Sequence, residues 1–547
     1  MVIAIAQINY HIGNFAKNTE KILNTIAKAK NAGVELVVFP EIAVGGYLAK
    51  DLLRYDSFLD ACEASVDQIA AACEGIACVI GAPVRSKLPK GKQLYNAALF
   101  LAEGSVQHVV HKTLLPDYDV FDEYRYFEPN DVFKCIDYKG SRIALTICED
   151  LWNEYLPSLY AQDPMAVLAK QEPDIMINIA ASPFSEDHFE SRCAVVTAHS
   201  RRYGLPALYV NTIGAHADII FDGRSLVFDQ QAQLIDVLNP FQEDLRYYHL
   251  AGKELRGTEP AEVYKEPLSI ANIYQALVLG IKDFFSKSGF KKAVLGLSGG
   301  IDSAVVAALA SEALGPSNVM GVLMPSVYSS GHSVQDALDL ARNLGCLHEV
   351  IPIKDATEAF DRMMAQAFAG KENDITEENI QARVRAIVLM AMSNKHGYIL
   401  LNTSNKSEAA VGYGTLYGDM AGSLGVLGDV FKTKVYQLAN YINRNGIIIP
   451  ENTITKAPSA ELRPDQKDSD SLPDYDVLDA ILHRYIELER SAKEIIGDGF
   501  DKALVHRVIK LVVGAEFKRF QSPPILRVTR KAFGAGRAMP LVAQHPF

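Results

Sequence analysis

The sequence lacks most of what would set it apart from an ordinary globular protein. It has one tryptophan and seven cysteines in 547 residues. Seven is odd, and Cys62, Cys73, Cys78, Cys135, Cys148, Cys193 and Cys346 form no C-x-x-C pair and no Cys/His run with zinc-ligand spacing. A disulfide framework and a structural zinc site are therefore not expected, and the chain reads as reduced and cytoplasmic. No run approaches the roughly 18 apolar residues of a membrane span. The opening Met1–Gln7 is too short, and lacks the basic flank, for a signal peptide. An excess of basic residues is also missing: 54 Lys plus Arg stand against 66 Asp plus Glu, a net charge of -12. That balance argues against a nucleic-acid partner, which calls for basic patches, but leaves room for a small anion in a locally basic cleft. With 49% apolar and 22% charged residues the chain is globular rather than disordered. At roughly 100–200 residues per domain it has the length of two or three domains.

From Val2 to about Leu250, short apolar runs alternate with helical patterns. Val2–Ala6, Leu36–Phe39, Cys78–Gly81, Ala97–Leu101, Arg142–Ile147, Ile175–Ile179, Ala207–Asn211 and Ser225–Phe228 read as strands, with helices near Asn14–Ala32 and Ser57–Ala72. The mixture predicts sheets covered by helices. Residues 251–268 turn polar and read as a linker. From 269 the pattern becomes regular: helix Ser269–Ser288, strand Ala293–Leu297, helix Ser303–Leu314, strand Val319–Leu323, helix Ser333–Leu344, strand Glu349–Ile353. That is β-α-β-α-β, a doubly wound parallel sheet.

The strand Ala293–Leu297 runs into Ser298-Gly299-Gly300-Ile301-Asp302-Ser303 and then a helix. Glycines at such a turn let backbone approach an anion, and the helix N-terminus adds unpaired N–H groups and the positive end of a dipole. Ser298 and Ser303 add hydroxyl donors, and Asp302 suits Mg²⁺ against phosphate oxygens. The Walker A ending Gly-Lys-[Ser/Thr] is absent, and so is G-x-G-x-x-G. The loop resembles that of the N-type ATP pyrophosphatases, which adenylate a substrate oxygen, release pyrophosphate and let nitrogen displace AMP. Glu378–Arg385, Leu401–Glu408, Thr415–Gly422, Lys456–Leu462 and Asp470–Pro473 resemble the NAD synthetases within that group. The resemblance runs from about 269 to 547. It implies that Ser298, Gly299, Gly300, Ile301, Asp302 and Ser303, with Thr403 and Lys432, hold ATP. It further implies that Asp302 and Glu408 hold Mg²⁺, and that Asn379, Glu408 and Lys518 bind deamido-NAD⁺. Ser404 departs from the glycine usual there, and Phe517 from a common tyrosine.

In the first half three chemically complementary residues sit just past predicted strands: Glu41, Lys112 and Cys148. A thiol needs a base or a cation to become a nucleophile at neutral pH, and Glu and Lys supply the two. Spacing alone does not bring the three together. Phe39-Pro40-Glu41, His111–Pro116 and Ile147–Asp150 resemble the motifs of the nitrilase superfamily, whose triad is Glu, Lys, Cys in this order. That resemblance covers about residues 1–250 and implies an α-β-β-α sandwich acting as a glutaminase. Tyr118, Ser182 and His188 match positions that hold glutamine, although His188 replaces a common lysine and is only partly cationic near neutral pH. Glu123 reads either as a second carboxylate orienting Lys112 or as a salt-bridged loop acid.

The two halves together resemble the glutamine-dependent NAD synthetases. The resemblance implies an α/β ligase, with 1–250 releasing ammonia from glutamine and 269–547 consuming it, an enclosed ammonia passage, and a homo-oligomer. Two other readings stay open: the same modules acting on another adenylated carboxylate, and a non-catalytic first domain beside an ammonia-dependent synthetase.

Overall fold

The computed structural model describes residues 1–154, 159–258, 264–464 and 466–543. The chain divides into two compact units, Met1–His216 with Ile220–Glu266, and Ala217–Ile219 with Pro267–Phe547.

The first unit is built on two sheets. In the seven-stranded sheet the order is Glu254–Gly257, Asp244–Ala251, Val2–Gln7, Leu36–Val38, Ala77–Arg85, Leu94–Ala102, Ser105–His111. In the six-stranded sheet it is Leu234–Val237, Leu226–Phe228, Ala207–Asn211, Ile175–Ala180, Ser141–Ile147, Ile136–Tyr138. Ile3, Ile5, Val38, Val79 and Phe100 of one sheet share a core with Ile143, Leu145, Ile177, Leu208 and Val227 of the other. The sheets therefore pack face to face. Helices Phe15–Asn31 and Asp56–Ala72 cover the outer face of the first sheet through Ile22, Ile26, Val66 and Ile69. Helix His188–Tyr203 covers the second through Phe189, Val195 and Val196. The result is an α-β-β-α sandwich. The near-continuous apolar strands have both faces buried, as parallel strands under helices require.

In the second unit a five-stranded, wholly parallel sheet has the order Leu347–Val350, Val319–Leu323, Ala293–Gly296, Ile399–Asn402, Leu424–Gly425. Strand order reverses direction at Ala293–Gly296, so the loops after it and after Ile399–Asn402 open a crevice between them.

Two stretches differ from the sequence reading. Glu254–Gly257, inside the polar stretch 251–268, pairs antiparallel with Asp244–Ala251 around a turn at Gly252. Residues 259–263 of that stretch lie outside the described residues. The strand expected at Glu349–Ile353 lies at Leu347–Val350, on the sheet edge, with all four residues exposed. Among the described residues no helix is long and apolar enough to cross a membrane. All seven cysteines are free.

Candidate active sites

Glu41 follows strand Leu36–Val38, Lys112 follows Ser105–His111 and Cys148 follows Ser141–Ile147, so one end of the two facing sheets presents all three. Lys112 Nζ lies 2.8 Å from Glu41 Oε1 and 2.7 Å from Glu123 Oε1, and all three side chains are buried. Glu123, in the short turn Glu123–Arg125, is thus a second buried carboxyl group paired with Lys112. Asn96 Nδ2 donates to both carboxylates, at 2.7 Å to Glu41 and 3.2 Å to Glu123. Tyr47 donates its hydroxyl to Glu123 at 2.5 Å, and the Ala181 backbone N–H donates to Glu41 at 2.9 Å.

Burial alone would lower the pKa of Lys112, but Glu123 and Glu41 hold it well above the usual lysine range. Burial raises Glu41, against the opposing pull of Lys112. Cys148 lies within electrostatic reach of both; burial and then Glu41 push its thiol well up, while Lys112 opposes. Burial thus favours the neutral form of the thiol, beside a buried lysine that lies between two carboxyl groups. Glu41 is made a better base than a solvated glutamate. Cys148 has φ 43°, a left-handed conformation that lifts it out of its strand. The turn is fixed by Asp150, whose carboxylate accepts from the backbone N–H groups of Ile147, Thr113 and Leu114 at 3.0, 2.9 and 2.9 Å. One side chain so ties the nucleophile turn to the residues after Lys112.

Around this array Tyr118 and Tyr160 donate hydroxyls to Glu149 Oε1 at 2.9 and 2.8 Å. Burial pushes the Glu149 carboxyl up to about 7. Ser182 Oγ and His188 Nε2 are 2.9 Å apart, and the His188 ring stacks on Trp152. Tyr118 meets the nucleophile turn through Glu149, while Ser182 and His188 meet each other.

In the second unit the loop after Ala293–Gly296 is held by its own hydroxyls. Ser303 Oγ donates to Gly300 O at 3.0 Å, and the Gly300 N–H donates to Ser298 Oγ at 3.1 Å. Gly299 has φ +79°, and a Cβ there would lie 2.2 Å from Ser333 O, so only glycine fits. Helix Ile301–Leu314 starts here and directs its N-terminus at a cavity of about 490 Å³ that Ser298, Asp302, Thr403, Glu408 and Lys432 help to line. Ser404 lines it too.

Lys432, 2% exposed, brings the charges together. Its Nζ is 2.5 Å from Asp302 Oδ2 and 3.5 Å from Glu408 Oε1, and Asn405 Nδ2 donates to Asp302 Oδ1 at 2.9 Å. Burial pushes Glu408 up to about 8, with Asp302 adding to the rise. Burial would lower Lys432, but Asp302 and Glu408 raise it. Among the described residues no group of three or more His, Cys, Asp or Glu forms a metal cluster. Two carboxylates beside a glycine-built turn at a helix N-terminus fit the chemistry of Mg²⁺, which takes one or two carboxylates and completes its shell with phosphate oxygens and water.

Of the three residues matched to deamido-NAD⁺, Glu408 belongs to this charged group. Asn379 accepts from Thr415 Oγ1 at 2.6 Å, and Lys518 Nζ donates to the carbonyls of Gly412 and Gly414 at 2.8 and 2.7 Å. Both therefore gather on residues 412–415, which directly follow the helix Lys406–Val411 that carries Glu408.

Family models place these two chemistries in one chain. Residues 2–259 match the carbon-nitrogen hydrolase family and 273–522 the NAD synthase family. A glutamine-dependent NAD(+) synthetase of Synechocystis sp. is 44% identical, covering 100% of this chain and 99% of that protein. One from Acinetobacter baylyi is 39% identical over 99% of this chain and 98% of its own. The solved structure of the Acinetobacter baumannii glutamine-dependent NAD+ synthetase in complex with ADP is 36% identical, with TM-score 0.79 over 99% of this chain and 98% of that one. The chain belongs to the glutamine-dependent NAD(+) synthetases. It is a ligase.

For an NAD synthetase, several side chains that matter here went unseen in the sequence. Asn96 lies in an apolar strand, and a buried asparagine there is the one signal that could have marked it, since such a group needs partners. Asp150 stands inside the Ile147–Asp150 motif. Tyr47 gave no local sign.

Proposed function

We propose that the enzyme forms NAD⁺ from deamido-NAD⁺, ATP and L-glutamine, with residues 1–250 as glutaminase and 269–547 as synthetase. The observation that carries the reading is the buried Glu41–Lys112–Glu123 array beside a left-handed Cys148, in one chain with a glycine-built anion cradle. In the glutaminase, Cys148 Sγ attacks the carboxamide carbon as Glu41 takes the thiol proton. The Lys112 ammonium and the Glu149 backbone N–H stabilise the oxyanion. Glu41 returns the proton to the leaving nitrogen, ammonia departs, and water then cleaves the thioester to glutamate. Tyr118, Ser182 and His188 hold the glutamine, and the Glu149 carboxylate suits its ammonium.

In the synthetase, Ser298–Ser303, Thr403 and Lys432 hold the ATP phosphates. A nicotinate carboxylate oxygen attacks the α-phosphorus, pyrophosphate leaves, and ammonia displaces AMP from the acyl carbon to form the amide. Mg²⁺, when bound by Asp302 and Glu408, would neutralise charge on the phosphate oxygens. Asn379, Glu408 and Lys518 bind the deamido-NAD⁺. Ammonium is a poor nucleophile, so ammonia passes between the sites without mixing with solvent. The enzyme is cytoplasmic and a homo-oligomer. Exposed Met363, Ile375, Ile387 and Met390 on two consecutive helices of the synthetase support self-association.

The test is NAD⁺ formation from deamido-NAD⁺, ATP and Mg²⁺, with glutamine or with ammonium chloride. Product from both nitrogen sources is expected. Product from neither, with pyrophosphate released on another carboxylate, would move the adenylation to a different substrate.

A further inference from the structure

A run of buried polar contacts joins the end of the first unit to Ser182 and His188. Helix His188–Tyr203 begins at His188, and one turn on stands Arg192, with no exposed surface. Arg192 Nη2 donates to both oxygens of Asp222, at 2.8 and 2.6 Å, and its Nη1 donates to Gly223 O at 3.1 Å. Asn211 links that same carbonyl back to Ser182. Its Nδ2 donates to Gly223 O at 2.9 Å and to Ser182 O at 3.2 Å, and its Oδ1 accepts from the Ser182 N–H at 2.8 Å. Asp222 and Gly223 thus steady Ser182 through Asn211, and the first turn of the helix through Arg192.

A second guanidinium presses on the same carboxylate. Arg224 is 1% exposed, its Nε is 3.5 Å from Asp222 Oδ2, and it lies over the Phe189 ring at 4.9 Å. Two buried guanidiniums face one aspartate, and the balancing charge is Glu266. Its Oε1 accepts from Arg224 Nη1 at 3.0 Å, and its Oε2 accepts from the Tyr264 hydroxyl at 2.8 Å. The Tyr264 ring packs on Phe189, the residue after His188, with centroids 5.4 Å apart. Glu266 is the last residue of the first unit before the chain enters the second at Pro267. Without its carboxylate, buried Arg224 would keep Asp222 as its acidic partner among the described residues and would compete with Arg192 for it, because a buried charge left unpaired is strongly unfavourable.

We propose that Glu266, braced by Tyr264, is a positioning residue for glutamine: it draws Arg224 away from Asp222, so that Asp222 and Arg192 fix the turn carrying His188. The grip on glutamine then depends on how the segment leading out of the glutaminase is held. The proposal rests on the reading of Ser182 and His188 as glutamine contacts.

The experiment uses the full chain and compares E266A, E266Q, Y264F, H188A, S182A and E266A/H188A. KM for glutamine and the rate with ammonium chloride are measured in each. E266A is expected to raise the glutamine KM about three- to tenfold, the scale of coupling through packed networks, and to leave the ammonia-dependent rate unchanged. E266Q, whose amide oxygen still accepts from Arg224, and Y264F fall between. The double variant adds little to H188A alone. An unchanged KM in E266A beside a raised KM in H188A would overturn the proposal. Equal loss with both nitrogen sources would overturn it too, since that marks general destabilisation. An unchanged KM in H188A and in S182A would instead remove the reading of the glutamine site, and the proposal with it.

Discussion

Gly299→Ala tests the proposed phosphate cradle at its tightest point. A Cβ at this position would lie 2.2 Å from Ser333 O and 2.8 Å from Ser333 C, where real Cβ contacts essentially never fall under 3.0 Å. The loop and the start of helix Gly331–Leu344 must therefore separate by about 0.8 Å, the difference between those two distances. Both partners are backbone, so no side chain can rotate away. The left-handed φ of +79° adds strain of about 1–2 kcal/mol for a residue with a Cβ, and overpacking adds about 1–3 kcal/mol. A displacement near 1 Å in a positioning element costs about 100-fold in rate. The expected outcome is a kcat/KM for ATP about 100-fold lower in ammonia-dependent NAD⁺ formation, where the glutaminase plays no part. Release of glutamate from glutamine is expected to persist. A kcat/KM for ATP within about threefold of the parent, on the same roughly 100-fold scale, would refute the claim that this close approach shapes the phosphate site.

Other outcomes follow from the two charged arrays. Lys112→Met leaves Glu41 and Glu123 buried without their cation, a change worth about 3–5 kcal/mol; calorimetry is expected to give a lower Tm for the glutaminase unit, with glutamate release abolished. Glu149, held up to about 7, is neutral below that pH and ionised above it. KM for glutamine is therefore expected to fall as pH rises through 7 in the parent, and to fall by less across that range in Glu149→Gln. Asp302→Asn removes the carboxylate that Lys432 contacts at 2.5 Å. It is expected to lower NAD⁺ formation about 100-fold or more with either nitrogen source, while glutamate release continues.

Much of the fold was legible because its strands are buried on both faces. Val319–Leu323 and Ala207–Asn211 are buried at every position and coincide with the ranges read from sequence. The readings failed at edges. Glu254–Gly257 buries one residue of four and Leu347–Val350 none, so no apolar pattern fixed either strand. At the sites, residues that follow strands were visible because chemistry restricts them: a thiol needs a base and a cation, and an anion loop needs glycine. The groups that orient them were not. Tyr47 reaches Glu123 across 76 positions of sequence, and Asn96 bridges two acids that stand 55 and 27 positions away. Such contacts are set by sheet packing rather than by local pattern. Lys432 shows the same limit in the other direction, since a lone lysine is usually exposed and this one is 2% exposed between two carboxylates.

The central claim is that one half of the chain frees the nitrogen that the other half fixes. It is tested most directly with amide-¹⁵N glutamine and unlabelled ammonium chloride together, in the parent enzyme and in Cys148→Ala, reading the mass of the NAD⁺ formed. The account predicts NAD⁺ carrying ¹⁵N from the parent, and only unlabelled NAD⁺, at an undiminished ammonia-dependent rate, from the variant. Labelled NAD⁺ from Cys148→Ala would contradict it.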